Sequence, residues 1–354
     1  MKTRVGIAGT SGAIMAEGWR AAFEAAAPEF DVVANASLGS SHPAMLPYRL
    51  PLLEDAGLDV LLVDLCVNEQ RALGRNLHSP DWARDGFAWL RGWCADRGVL
   101  PVVLILPALG EAGMAGSPVA DGWAAMCRDA GLPWLDGYRL IRHGCFYTRQ
   151  PPRHFFLNAN HLNARGTRLV AEALARTLPQ FLMHATIGAA TGPAPDLRFV
   201  HAGGRLERQT ALVAERLLRL TLGEAHSVQT GPGEVAGVVH DMARASGALL
   251  MTGARARAKR LDTPHLQPDG PLRLVAWSLI ERVPAAEDGH VVLSVQPSRL
   301  LAGQEDNDHT KPDAAPGIED PTLEIAGLIM RDEPAERRLI AAQGITGDLL
   351  SLLD

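Results

Sequence analysis

Between residues 1 and 183 short apolar runs alternate with longer amphipathic ones, and this alternation restricts the fold more than any other property of the chain. Arg4–Ala8 reads as a strand, Ala13–Ala27 as an alanine-rich helix, and Asp31–Ala34 as a second short strand. Val60–Leu65 is an almost unbroken apolar run, the mark of a buried strand. Trp82–Arg97 carries Trp82, Phe87, Leu90 and Trp93 at helical spacing, and Val99–Leu106 is another buried strand. Asp121–Ala130 then reads as a helix, Trp134–Leu135 as a short strand and Asn163–Leu178 as a closing helix. Strands alternating with helices predict a parallel sheet covered on both faces.

The texture changes near residue 185. Ala185–Pro195 is small and rich in Gly and Pro, as linkers are. Beyond it Ala214–Leu222, Val235–His240, Ala248–Thr252, Leu272–Glu281 and His290–Val295 are short runs bounded by clusters such as Gly231-Pro232-Gly233. They predict a small antiparallel sandwich or jelly-roll-like module, with Trp277 in its core. Gln304–Pro321 is acidic and proline-rich, an expected exposed loop, and Ala335–Leu353 reads as a helix opened by Pro334. The expected plan is therefore an α/β domain over residues 1–184, a linker over 185–195 and a β-rich domain with a C-terminal helix over 196–354. A length of 354 residues suits two domains.

Charge and composition remove several function classes. A net charge of −6 argues against nucleic acid or an anionic membrane as the main partner. No apolar run approaches the ~18 residues of a membrane span, and Met1–Ile7 lacks the apolar region of a signal peptide. Cys66, Cys94, Cys127 and Cys145 form no CxxC pair, so a reducing, cytoplasmic setting is expected and zinc is not. His78, His143 and His154 lack ligand spacing, and Asp306-Asn307-Asp308 lacks the Gly and Glu of a calcium loop; no metal is expected.

Chemistry concentrates at the first strand-to-helix turn. Val5-Gly6-Ile7-Ala8-Gly9-Thr10-Ser11-Gly12-Ala13 occupies the place where α/β folds bind phosphate or set a nucleophile. The string looks like the opening of flavin prenyltransferases, which hold a flavin phosphate there. A Rossmann reading also needs an acidic residue after the second strand, and Val33-Ala34-Asn35-Ala36-Ser37 offers none. No cofactor is expected.

Three further stretches follow in order: Asn35-Ala36-Ser37-Leu38-Gly39, Cys66-Val67-Asn68-Glu69, and Asn158-Ala159-Asn160-His161-Leu162-Asn163-Ala164-Arg165-Gly166. With Gly9-Thr10-Ser11 they resemble the four blocks of the SGNH (GDSL-like) hydrolases. Met15, Gly18 and Trp19 after the serine most resemble members linked to bacterial surface-polysaccharide biosynthesis. The resemblance implies a three-layer, flavodoxin-like α/β domain in which Ser11 is the nucleophile and His161 its base. The oxyanion would be held by the backbone amides of Ser11 and Gly39 and the side-chain amide of Asn68. Asn158 stands where the family has the aspartate that orients the histidine, Thr10 replaces the first-block aspartate, and Cys66 replaces a glycine.

Each residue also has a structural competitor. Ser11 could be a plain helix cap, Gly39 a turn glycine, Asn68 a cap after its strand, and His161 a surface histidine. The function implied first is a serine esterase removing O-acyl, chiefly O-acetyl, groups from a carbohydrate. An O-acyltransferase to a sugar acceptor, or a weakly catalytic binding protein of the same pathway, remains open. The expected partner is a small-molecule or glycan ester, and a homo-oligomer is open as well.

Overall fold

A computed structural model describes residues 2–73, 79, 81–113, 117–210, 212–262, 266–297, 304–306 and 320–353. The chain divides into two compact units, one of residues 1–71, 83–194 and 335–354, the other of residues 72–82 and 195–334.

The first unit opens with β1 (Thr3–Ala8), α1 (Ser11–Ile14), α2 (Trp19–Ala26), β2 (Phe30–Asn35) and α3 (Leu46–Arg49). It continues through β3 (Val60–Val63), α4 (Cys66–Leu73), α5 (Asp81–Arg97), β4 (Leu100–Ile105), α6 (Leu109–Ala112) and α7 (Pro118–Asp129). Then come β5 (Trp134–Asp136), α8 (Gly137–Thr148), α9 (Ala164–His184) and β6 (Thr186–Ala194). The five strands β1–β5 form a parallel sheet of order β2-β1-β3-β4-β5. This is the flavodoxin-like order, whose direction of winding reverses between β1 and β3. Every residue of β3 and β4 is buried, as in a sheet covered on both faces.

One expected helix is two. Ala13–Ala27 is broken after Ile14 because the chain folds back on itself there: a Cβ on Gly18 would lie 2.1 Å from the Gly12 carbonyl oxygen. Gly18 then serves as the N-cap of α2, which buries Trp19 and Phe23. The break leaves α1 as a single turn held directly over the end of β1.

Among the described residues the named strands of the second unit pair antiparallel throughout, and a short 3-10 turn stands at Met242–Arg244. Its strands are β7 (Leu197–His201), β8 (Leu206–Gln209), β9 (Ala214–Thr221), β10 (Ala225–Gln229), β11 (Glu234–Asp241), β12 (Ala248–Thr252) and β13 (Ala256–Arg260). The last three are β14 (Leu274–Pro284), β15 (His290–Gln296) and β16 (Thr322–Arg331). One sheet runs β14-β11-β16-β9-β8 with β7 also on β16, the other β10-β15-β12-β13. Inward residues of both, among them Val228, Leu249, Leu293, Val238, Trp277 and Ile325, share one core, which makes the unit a sandwich. Of the expected loop Gln304–Pro321, residues 307–319 lie outside the described residues. Glu305, by contrast with an exposed loop, bridges to the buried Lys259, its Oε2 3.2 Å from Nζ.

Two expectations about the ends of this unit are overturned. The stretch 185–195 is no linker but strand β6, and Ala335–Leu353 is no helix. It forms β17 (Ala335–Gln343) and a closing 3-10 turn at Leu349–Leu352. β17 pairs antiparallel with β6 along its whole length, from Ala335↔Ala194 to Gln343↔Thr186. The composition Ala-Glu-Arg-Arg-Leu-Ile-Ala-Ala-Gln favours a helix in isolation, but a full-length partner strand and the burial of Leu339, Ile340 and Ala342 outweigh that preference. Residues 335–354 thus belong to the first unit rather than to the β-rich one. Beyond β17 the chain pairs with β5 (Trp134 N–H to Gly347 O, 2.8 Å). It also takes a two-bond ion pair from Arg139 to Asp348 at 2.8 and 2.7 Å. Among the described residues no helix is long and apolar enough to cross a membrane.

The returning strand leaves no room at Gly131, where φ is +67° and a Cβ would meet the Ala342 carbonyl oxygen at 2.0 Å. Gly98 has φ +66° with open space around it. Gly131→Ala should therefore lower stability in urea unfolding by clearly more than the ~1–2 kcal/mol of left-handed strain expected for Gly98→Ala. Equal losses would mean that β17 does not pack there.

Candidate active site

The turn that carries Ser11 starts where β1 ends. Gly9 donates its N–H to Ser37 Oγ at 3.0 Å, and a Cβ on Gly9 would lie 2.9 Å from that of Ala13, so only glycine fits. Thr10 caps α1, its Oγ1 accepting from Gly12 N–H at 3.3 Å, and Ser11 is the first residue of the helix, half-buried. Ser11 is thus a helix residue and not the cap; Thr10 is.

The segment after β2 runs on beside β1. Ala36 N–H bonds Ile7 O at 2.8 Å and Leu38 N–H bonds Gly9 O at 3.1 Å, which brings Gly39 up beside the turn. Gly39 is exposed with nothing within 4 Å of where a Cβ would stand, and Ser40 follows at φ +58°. The glycine answers no packing demand; it keeps space open beside its amide. Asn68, in the first turn of α4 after β3, donates from Nδ2 to Ser41 O at 2.8 Å. That bond locks the amide plane, and among the described residues the second N–H has no protein acceptor.

The fourth stretch folds into a tight loop. Leu157 N–H bonds His161 O at 2.8 Å, and Phe156 bridges to Leu162. Asn163 caps α9 through its Oδ1, bonded by Arg165 and Gly166 N–H at 3.0 and 3.2 Å. Gly166 is required because a Cβ there would lie 2.4 Å from Phe155 O. Within the loop Asn158 Oδ1 accepts from the backbone N–H groups of Asn160 at 3.0 Å and His161 at 3.1 Å. Two donors identify that atom as oxygen rather than nitrogen.

The same oxygen lies 2.9 Å from His161 Nδ1, so Nδ1 must carry the ring proton. His161 Nε2 is then a lone pair, and it lies 2.7 Å from Ser11 Oγ. The distance is within reach for proton transfer from the hydroxyl. Partial burial of the imidazole holds its pKa below the ordinary value of 6.5, which keeps it neutral at neutral pH.

Of the five residues expected at the site, Ser11, His161 and Asn158 are joined by direct hydrogen bonds. Gly39 and Asn68 are tied in through Leu38–Gly9 and Asn68–Ser41. Cys66 is buried, its Sγ 3.8 Å from the carbonyl oxygens of Leu104 and Leu106, and burial pushes its thiol well above the usual range. It is packing and no second nucleophile. Glu69 is buried too, accepts from Trp123 Nε1 at 2.6 Å, and burial raises its carboxyl to about 7.

Sequence reasoning overlooked Asp64, wholly buried at the end of β3 beneath the turn that carries Ser11. A lone acid closing the apolar run Val60–Val63 was the available signal. Among the described residues no group of three or more His, Cys, Asp or Glu side chains could hold a metal; His78, Asn307 and Asp308 lie outside them.

Asn158 orients the ring without supplying negative charge. Asn158→Asp should raise the His161 pKa, because the charge favours imidazolium, and so move the acid limb of kcat/KM to higher pH. It should also raise kcat on an activated ester by at least about tenfold. A pH–rate series on both proteins checks this; an unmoved limb and unchanged kcat would sever Asn158 from the base.

The sequence matches no protein-family model and no curated protein. Solved structures similar to part of the chain include a protein from Bacillus subtilis (14% identity over 52% of this chain and 56% of that one, TM-score 0.41). The match therefore spans little more than half of that protein's length. Others are a GDSL-like lipase candidate from Parabacteroides merdae (13%, 48% and 92%, TM-score 0.41) and an acetyl xylan esterase (12%, 48% and 96%, TM-score 0.40).

Proposed function

We propose that the chain is a serine esterase of the SGNH type that removes O-acyl groups, acetyl foremost, from a carbohydrate. The reading rests on one observation: Ser11 Oγ sits 2.7 Å from the unprotonated nitrogen of His161, at the rim of the sheet where its winding reverses. Ser11 Oγ attacks the acyl carbonyl carbon while Nε2 takes its proton. The resulting oxyanion is met by the amides of Ser11 and Gly39 and by the spare N–H of Asn68. Collapse expels the sugar alkoxide, which receives the proton back from His161, and water then repeats the sequence on the acyl-serine. Asn158 keeps Nδ1 protonated throughout. The acyl and carbohydrate parts of the reading come from the variant of the first block, with Met15, Gly18 and Trp19 behind the serine. The four unpaired cysteines accord with a reducing, cytoplasmic setting.

A burst of p-nitrophenol from p-nitrophenyl acetate is expected, abolished in Ser11→Ala, with a fluorophosphonate adduct on Ser11 alone. Asn68→Ala should retain the adduct but lose about 10²–10³ in kcat. An undiminished burst in Ser11→Ala would refute the assignment. Acylated product on adding acceptor sugars would redirect it from hydrolysis to transfer.

A further inference from the structure

The nucleophile turn rests on an acid that the hydrolytic steps leave unused. Asp64 is 0% exposed. Its Oδ1 accepts from Thr10 Oγ1 at 2.9 Å, its Oδ2 accepts a short bond from Trp19 Nε1, and its own N–H bonds Ala8 O at 3.1 Å. The carboxylate lies so close beneath the turn that a Cβ on Gly9 would come within 3.2 Å of Oδ2, and one on Gly12 within 3.8 Å. Thr10, which stands where the resemblance expects an aspartate, passes the contact on: its hydroxyl proton goes to Asp64, and its lone pair accepts Gly12 N–H at 3.3 Å. The chain of bonds thus runs from Trp19 through Asp64 and Thr10 to the residue after Ser11.

We propose that Asp64 is the positioning residue of the nucleophile turn, and that taking up a proton on its carboxylate loosens the turn and slows the enzyme. The inference rests on Ser11 being the nucleophile. Its logic is a count of protons. The indole N–H can only donate and already occupies Oδ2, so the proton is assigned to Oδ1, facing Thr10. The Thr10 hydroxyl then has to accept from the acid while it still accepts from Gly12, and its own O–H loses its partner. Thr10 is 1% exposed, so no bulk water replaces that partner.

Burial raises the Asp64 carboxyl to about 7, against the pull of the Trp19 and Thr10 bonds, so the change falls at neutral pH. The titratable group beside it on α4 is the Cys66 thiol, which brings no positive charge. No ion pair reaches Asp64 among the described residues.

The test uses Asp64→Asn, Thr10→Val and Thr10→Ser in the full chain. In the wild type kcat/KM should fall on acidification in a step near pH 7, in addition to the lower step of His161, and Asp64→Asn should lack the upper step. Thr10→Val should lower kcat by about tenfold or more with KM little changed, and Thr10→Ser should restore it. By ¹H–¹⁵N NMR one indole N–H and the amides of Ser11 and Gly12 should titrate together near neutrality, and stay fixed in Asp64→Asn. The spectra decide the question even if the protein hydrolyses no ester, which separates failure of this inference from failure of the esterase reading. Ser11 and Gly12 amides indifferent to pH, or a Thr10→Val enzyme as fast as wild type, would overturn it; should Asp64→Asn not fold, the Thr10 pair and the wild-type titration still decide.

Discussion

One carbonyl oxygen, that of the Asn158 side chain, settles how the imidazole of His161 meets Ser11. It gathers two backbone N–H groups and the ring Nδ1–H within 2.9–3.1 Å. The backbone donors fix which end of the amide is oxygen, the oxygen fixes the tautomer, and the tautomer leaves a lone pair for the serine hydroxyl. An aspartate would do the same and add a charge to stabilise the imidazolium. The asparagine keeps the geometry and gives up that charge.

Much of this was legible in the chain. Alternating apolar and amphipathic runs are enough for a parallel sheet, because a strand buried on both faces has no polar positions to spare, as Val60–Val63 illustrates. The site residues were expected from the resemblance of four stretches to the SGNH hydrolases, and the loops that bring those stretches together need particular residues. Gly9 and Gly166 stand where neighbouring atoms leave no space for a Cβ, and Asn163 where a helix needs a cap.

What could not be read was long-range. Nothing local to Ala335–Gln343 announces a strand; its pairing with Thr186–Ala194 makes it one. For the same reason the glycine- and proline-rich stretch 185–195 looked like a tether until its partner was known. The break in Ala13–Ala27 was hidden because alanine-rich sequence favours helix throughout, and only the close approach of Gly18 to Gly12 interrupts it. Asp64 escaped notice because its importance lies in Thr10 and Trp19, residues 54 and 45 positions away in the chain.

The pairing of β6 with β17 orders the protein's birth on the ribosome. The α/β unit emerges first, yet β6 waits unpartnered while the whole sandwich is synthesised behind it, because its partner strand is encoded after the last strand of that sandwich. The nascent chain must hold an incomplete layer, with the Gly131 surface uncovered, until β17 arrives. A ribosome that stops early leaves β6 without its partner strand.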